Sequence, residues 1–126
     1  MFYYIFNCIV STSVLEYSIH YIYHKLNISM HKDHHKDYQN NTIELEYYFI
    51  PISMMFYYYQ YYALCFGSIR YLLLHTMIHH YPQYLPNSIV KHHILHHSKA
   101  PNHNFSVSMP FLDTLFNTRY IEKNNI

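Results

Sequence analysis

Ten histidines in this chain are spaced so that their imidazoles can act together. His20 and His24 are four apart, and so are His75 and His79. His31, His34 and His35 form an H-x-x-H-H group, and His93, His96 and His97 form another. Neutral imidazole is the commonest nitrogen ligand for transition metals. Two imidazoles at i and i+4 stand on adjacent turns of a helix and can grip one ion. H-x-x-H-H adds a third ring nitrogen within a turn and a half. One metal takes roughly four to six ligands, so ten histidines suit two metals. An all-nitrogen set suits iron, zinc, copper or nickel, and ligand type alone does not choose among them.

A single H-x-x-x-H means little, because a lone helical histidine usually sits in a core or on a surface. Four such groups within 126 residues are a stronger signal. Helical phase strengthens it. At about 100° per residue from His20, the residues His24, His31, His34 and His35 fall near 40°, 20°, 320° and 60°, within one arc of about 100°. The remaining histidines stand apart. His80 and His92 point off the faces of their groups by about 100° or more, and His103 falls in a loop. Glu16 lies one turn before His20 on the same face, where a buried carboxylate needs a purpose such as supporting a ligand. Asp113 reads as a support of the C-terminal tail. Glu16, His80, His92, His103 and Asp113 are therefore candidates for holding ligands in place. No catalytic role is assigned beyond the ten ligands.

The elements that must position these groups follow from composition. Charged residues make up 12% of the chain against hydrophobic 51% and aromatic 20%, about half the ~25% charge of ordinary soluble domains. There is no run of Lys or Arg, which excludes the electrostatic footprint of nucleic-acid binding. Cys8 and Cys65 sit in apolar stretches and read as buried thiols. The first twenty-odd residues are apolar but for Glu16 and His20, with no basic n-region or cleavage site, so they do not read as a removed signal peptide. At ~1.5 Å per residue, such a stretch reaches across a ~30 Å hydrocarbon core.

With no Pro or Gly before Pro51, the first helix can run on past His35. Lys25, Lys32 and Lys36 flank its histidine stripe and suggest a cytosolic end. Asp37–Thr42 is the loop signal, and Tyr47–Phe66 is a second uncharged stretch. Its Tyr57–Tyr59 and Tyr61–Tyr62 run reads as an interfacial or lipid-facing surface, or as the lining of an acyl or sterol channel. Gly67-Ser68 is the natural turn, returning as a helix over Ile69–His80. That return is short for a full crossing, so a re-entrant hairpin or helices lying partly in the interface fit as well. Tyr81–Pro86 breaks the helix, and Asn87-Ser88 can cap a helix over Ile89–Ser98. Phe105–Phe116 reads as a packed, partly irregular tail, and the last residues as frayed. The expected architecture is all-α in one domain, 1–126. Membrane helices are expected at about 2–22 and 47–80, beneath a histidine-rich cap formed by 20–38 and 75–118.

The order H-x-x-x-H, H-x-x-H-H, H-x-x-x-H-H, H-x-x-H-H resembles the fatty acid hydroxylase / sterol desaturase superfamily of integral membrane di-iron oxygenases. Asn104-Phe105-Ser106-Val107-Ser108, followed by Pro110 to Thr118 (PFLDTLFNT), is similar to that family's NFGVS…FWDxLFGT ending. The resemblance covers roughly residues 15–118. It implies integral membrane helices in the endoplasmic reticulum, with the histidine-rich cap facing the cytosol. It also implies two iron ions, with zinc as a substitute, and O2-dependent hydroxylation or desaturation of a membrane lipid, either a fatty acyl chain or a sterol. Electrons would come from NAD(P)H through a separate donor such as cytochrome b5 or a reductase. This chain departs from the family pattern in three ways. Only nineteen residues precede His20, where the family generally has a further helix or hairpin. Ser106 and Asn117 replace glycines of the tail. No cytochrome-b5-like segment is fused. A minimal enzyme, a truncated product and a non-catalytic metal-binding relic all fit those departures. A histidine-rich transporter or buffer fits less well, because its histidines would sit inside the spans or in loose loops.

Overall fold

The computed structural model describes residues 2–36 and 49–122. Regular structure among them is helical throughout. In order it comprises α1 (Phe2–Lys25), α2 (Ser29–Lys36), α3 (Phe49–Tyr58), α4 (Tyr62–His80), a 3-10 turn (Pro82–Tyr84), α5 (Asn87–Ser98) and α6 (Phe111–Leu115). The expected loop Asp37–Thr42 and the start of the second apolar stretch, Tyr47 and Tyr48, lie outside the described residues.

The first helix does not run on past His35; it stops at Lys25. Asn27 takes φ 51°, and the amides of Asn27 and Ile28 donate to the carbonyls of His24 and Tyr23 at 3.2 and 3.1 Å. This double closure ends a helix by a left-handed residue, which asparagine adopts more readily than most. The chain then restarts as α2 and brings the second histidine group back over the end of α1.

The hairpin turn also differs from expectation. It lies at residues 59–61, where Gln60 has φ 62° and the amides of Gln60 and Tyr61 close onto the carbonyls of Tyr57 and Phe56 at 3.0 and 2.8 Å. Gly67 is inside α4, facing α1, and a Cβ built on it would lie 2.6 Å from both Cβ and Cγ2 of Thr12. The glycine therefore permits a close helix crossing and makes no turn. α5 begins at Asn87, directly after Pro86, with no side-chain cap. Pro86 holds the N-cap position in extended geometry (φ -57°, ψ 128°), so Asn87 and Ser88 fall inside the first turn and do not cap it.

α3 and α4 form an antiparallel pair, joined midway by the hydroxyls of Ser53 and Ser68 at 2.7 Å. α1 and α4 run parallel. Cys8 meets the Ala63 carbonyl, Thr12 meets Gly67, and Arg70 donates to the hydroxyls of Thr12 and Ser13 at 3.2 and 2.8 Å. Parallel packing puts the C-terminal ends of both helices, and their histidines, at one end of the molecule. The tail folds back on α1 through a core of Tyr17, Phe105 and Leu112. Both cysteines are free and half-buried.

Among the described residues no helix is long and apolar enough to cross a membrane. The spans expected at about 2–22 and 47–80 fail for different reasons. α1 has the length, but Asn7, Ser11, Thr12, Ser13, Glu16 and Ser18 interrupt its hydrophobicity. The second span is broken by the turn at Gln60, leaving α3 with ten residues, and α4 carries Arg70. The end of the molecule opposite the histidines is strongly apolar. Phe2, Tyr3, Tyr4 and Phe6 of α1, and Tyr57, Tyr58, Tyr59, Tyr61 and Tyr62 around the α3–α4 turn, are all exposed.

Candidate metal centre

The ten histidines singled out by spacing assemble into two groups of five. His20, His24, His31, His35 and His96 form the first, and His34, His75, His79, His93 and His97 the second. Within each group the candidate ligand nitrogens all lie within 4.8 Å of one another. The partition crosses the sequence motifs. In H31-x-x-H34-H35 the i,i+4 pair serves the first group and His34 serves the second. In H93-x-x-H96-H97 the i,i+4 pair serves the second group and His96 the first. Helical phase explains this. Residues i and i+4 are about 40° apart, while i+3 lies about 60° to the other side of i. A helix wedged between two centres therefore hands a pair to one and a single ring to the other. Each H-x-x-x-H motif stays whole, with His20/His24 in the first group and His75/His79 in the second. The groups abut, with the rings of His35 and His97 stacked 4.4 Å apart.

The nitrogens converge more closely than hydrogen bonding can satisfy. His31 Nε2 lies 3.1, 2.7 and 3.2 Å from Nε2 of His20, His24 and His35. A neutral imidazole nitrogen carries one proton or one lone pair, so it cannot serve three such neighbours. In the second group His79 Nε2 is 3.2 Å from His75 Nε2 and 3.1 Å from His93 Nε2, which is 2.9 Å from His97 Nε2. Ligands about 2.0–2.1 Å from a shared ion would stand about 3 Å from each other. Buried nitrogens also lack hydrogen-bond partners, namely both of His34, Nδ1 of His35 and His93, and Nε2 of His96. His34, His93 and His96 are buried, and an unpaired polar atom there is costly. A divalent cation in each group would take up the converging Nε2 lone pairs, that of His96 and one nitrogen of His34 among them, so the residues fit the metal that their types suggest.

Local electrostatics favour the same occupant. Histidines fill the last turns of α1 (His24), α2 (His34, His35), α4 (His79, His80) and α5 (His96, His97). Four helix C-termini thus present partial negative charge to one place, which stabilises a cation. Burial, reinforced by neighbouring imidazoles, keeps these rings neutral and able to coordinate. It pulls His34 down to about 3 and His31 to about 2, and burial alone takes His24 to about 4. His93, His96 and His97 are pushed well below the ordinary histidine value by the same causes.

Two rings are oriented by the tail. His20 Nδ1 donates to the Phe105 carbonyl at 2.5 Å and His96 Nδ1 to the His103 carbonyl at 2.6 Å. Each bond puts the proton on Nδ1 and leaves Nε2 as the ligand. The tail is itself held by carboxylates. Asp113 is fully buried and accepts from the amides of Phe105 and Ser106 (2.8 and 2.9 Å), from His92 Nε2 (2.9 Å) and from Thr118 Oγ1 (2.7 Å). Glu16 accepts from the amides of Val107 and Ser108 and from the Ser108 hydroxyl, at 2.7–2.9 Å.

Of the expected supporting residues, Glu16, His92 and Asp113 thus bind the tail or α5. His103 supports His96 through its backbone carbonyl, while its ring is exposed. His80 ends α4 outside both groups, with its ring 6.4 Å from that of Tyr81. Sequence reasoning missed Arg70, which ties α4 to α1 and lies 3.8 Å from Glu16. A lone charge in an apolar helix was the available signal. It also missed Asn104, which at φ 56° bonds to the backbone of His92 and Tyr120.

A cavity of about 500 Å³ opens beside both groups. His20, His31, His34 and His75 are among its lining residues, and Leu15, Ile19, Phe49, Ile52, Phe56 and Leu64 form its apolar walls. A second cavity of about 340 Å³ borders the outer side of the first group, between His24, His31, His35, Lys32, Lys36 and Asn102.

No curated protein and no solved structure matches this chain. The family model described as fatty acid hydroxylase matches residues 5–118, which include all ten clustered histidines and the tail that orients two of them. The chain belongs to the fatty acid hydroxylase family, within the fatty acid hydroxylase / sterol desaturase superfamily.

Proposed function

We propose that this chain is an O2-dependent di-iron oxidoreductase that hydroxylates or desaturates a membrane lipid, a fatty acyl chain or a sterol. The observation that carries the proposal is the pair of five-histidine groups opening onto an apolar cavity. His20, His24, His31, His35 and His96 would hold one iron, and His34, His75, His79, His93 and His97 the other. When bound, the pair of irons supplies oxidising power sufficient for an unactivated C–H bond.

The chain's own residues do the rest. The carbonyls of Phe105 and His103 keep the ligand nitrogens of His20 and His96 unprotonated. Leu15, Ile19, Phe49, Ile52 and Phe56 offer an apolar wall that would align a hydrocarbon chain against the histidines. The second cavity, edged by Lys32 and Lys36, would give an electron donor an approach to the outer side of the first group. NAD(P)H would supply that donor, a cytochrome b5 or a reductase. The exposed aromatic end is suited to the membrane interface, where tyrosine is at home. With the histidine end away from the bilayer, the chain would face the cytosol at the endoplasmic reticulum, as the family resemblance implies.

The test is metal content per chain and O2-dependent lipid product, for the wild type and for a His96→Ala, His97→Ala variant. About two irons, lost in the variant together with product, are expected. Metal without product would identify a non-catalytic relative that keeps the cage. No bound metal would overturn the proposal.

A further inference from the structure

We infer that the strap His103–Thr118 tunes one of the two metal groups separately from the other, and that Asp113 and Glu16 are its positioning residues. The inference rests on the two-metal reading above. Four successive amides, Phe105 to Ser108, all donate to two buried carboxylates: the first two to Asp113 and the last two to Glu16. That arrangement leaves the strap little freedom to rotate its peptide planes. The Phe105 carbonyl is thereby aimed at His20 Nδ1. On the other side of Asn104, the His103 carbonyl is aimed at His96 Nδ1. Asn104 is pinned between them, its amide bonded to the Thr118 carbonyl at 2.9 Å and its side chain to the backbone of Tyr120 and His92.

Both oriented rings, His20 and His96, belong to the first group. The Phe105 ring adds edge contacts to three members of that group, with centroids 5.9, 5.3 and 5.8 Å from His20, His24 and His96. The strap thus fixes tautomer and ring orientation for two of five ligands in one centre. Among the described residues, the bond of Asp113 toward the other centre is the one to His92, which is adjacent in sequence to His93. A residue that merely holds the fold together would affect both centres. A positioning residue affects the first.

The experiment titrates zinc(II) calorimetrically into metal-free protein in detergent micelles. A His79→Ala, His93→Ala background leaves the first group, and a His24→Ala, His31→Ala background leaves the second. Asp113→Asn is expected to weaken zinc binding about 10- to 100-fold in the first background and less than about threefold in the second. Glu16→Gln, which leaves Asp113 and its four bonds in place, is expected to show the same selectivity at smaller size and carries the test if Asp113→Asn does not fold. Nitrogen-15 spectra of the zinc-loaded wild type should place the remaining proton of His20 and His96 on Nδ1, and Asp113→Asn should mix the His20 signature. Equal loss in both backgrounds, or none in the first, would overturn the strap. A wild type that takes up no zinc would overturn the metal reading itself, and this inference with it.

Discussion

Gly67→Ala should destabilise the protein even though alanine is the better helix former. At an unobstructed position inside a helix the substitution gains about 1 kcal/mol of propensity. At Gly67 the new Cβ would lie 2.6 Å from two carbons of Thr12, about 1 Å inside the ~3.5–4.0 Å contact distance. Thr12 cannot swing away freely, because it is β-branched and stiff at χ1. Its hydroxyl also donates to the Cys8 carbonyl at 2.7 Å and accepts from Arg70. α1 and α4 must therefore part, at a cost in the upper part of the ~1–3 kcal/mol range for overpacking. The net expectation is about 1–2 kcal/mol less stable, read as a melting temperature lower by roughly 3–10 °C. Because α2 and α5 each give rings to both groups, parting α1 from α4 also pulls these shared helices between the two groups, so metal content should fall in parallel. Thr12→Gly in the Gly67→Ala background moves the missing side chain to the partner helix and should restore most of the lost stability relative to Thr12→Gly alone. An increase in melting temperature for Gly67→Ala would refute the crossing and return Gly67 to the turn its sequence suggests.

Asn117 takes φ 57° where the family ending has glycine. Asn117→Gly should leave the melting temperature nearly unchanged, while Asn117→Ala should cost about 1 kcal/mol through left-handed strain. The metal-free protein should lose stability in acid. His24, His31 and His34 stay neutral when folded, with values pulled to about 4, 2 and 3, while the unfolded chain takes up protons near pH ~6.5. The unfolded state therefore binds more protons below that point, so stability falls as pH drops from about 6.5 toward 4. A denaturant midpoint that does not move between pH 7.5 and 5 would contradict it. Replacing Tyr57, Tyr58, Tyr59, Tyr61 and Tyr62 by serine should weaken partition into liposomes, on the order of tenfold or more, with bound metal unchanged. Unaltered partition would remove these residues from the membrane contact.

How much of this was legible depended on whether the signal was local. The clustering of the histidines was legible because a metal-ligand reading looks for one residue type at helical spacing, and all ten residues chosen that way lie in the two groups. The supporting carboxylates were visible as charges in apolar surroundings, and the tail as a motif. Helix boundaries were less visible. Asn27 and Gln60 end helices in left-handed geometry, yet neither is a Gly or Pro, the residues by which a sequence most plainly punctuates itself. The lone glycine was misleading for the converse reason. Glycine serves both turns and close crossings, and only the position of Thr12 on another helix decides between them.

The break at Asn27 explains how the two centres are built. On one continuous helix the five N-terminal histidines would share a stripe that runs away from itself, with His20 and His35 about 22 Å apart along the axis at ~1.5 Å per residue. No single site could use both. Folding back at Asn27 places His31 and His35 over His20 and His24, as the short nitrogen–nitrogen distances from His31 record. It also turns His34 outward, toward His75 and His97, with ring centroids 5.0 and 4.6 Å away. α5 does the reciprocal thing with His96. Each centre therefore needs one ring from the helix that chiefly serves the other. Displacing α2 or α5 should disturb both centres, whereas loosening the strap should disturb one. The stripe seen in the sequence was a sound guide for four of its five residues and wrong for His34, which joins the other group, and the continuous helix inferred from it would have kept all of them apart.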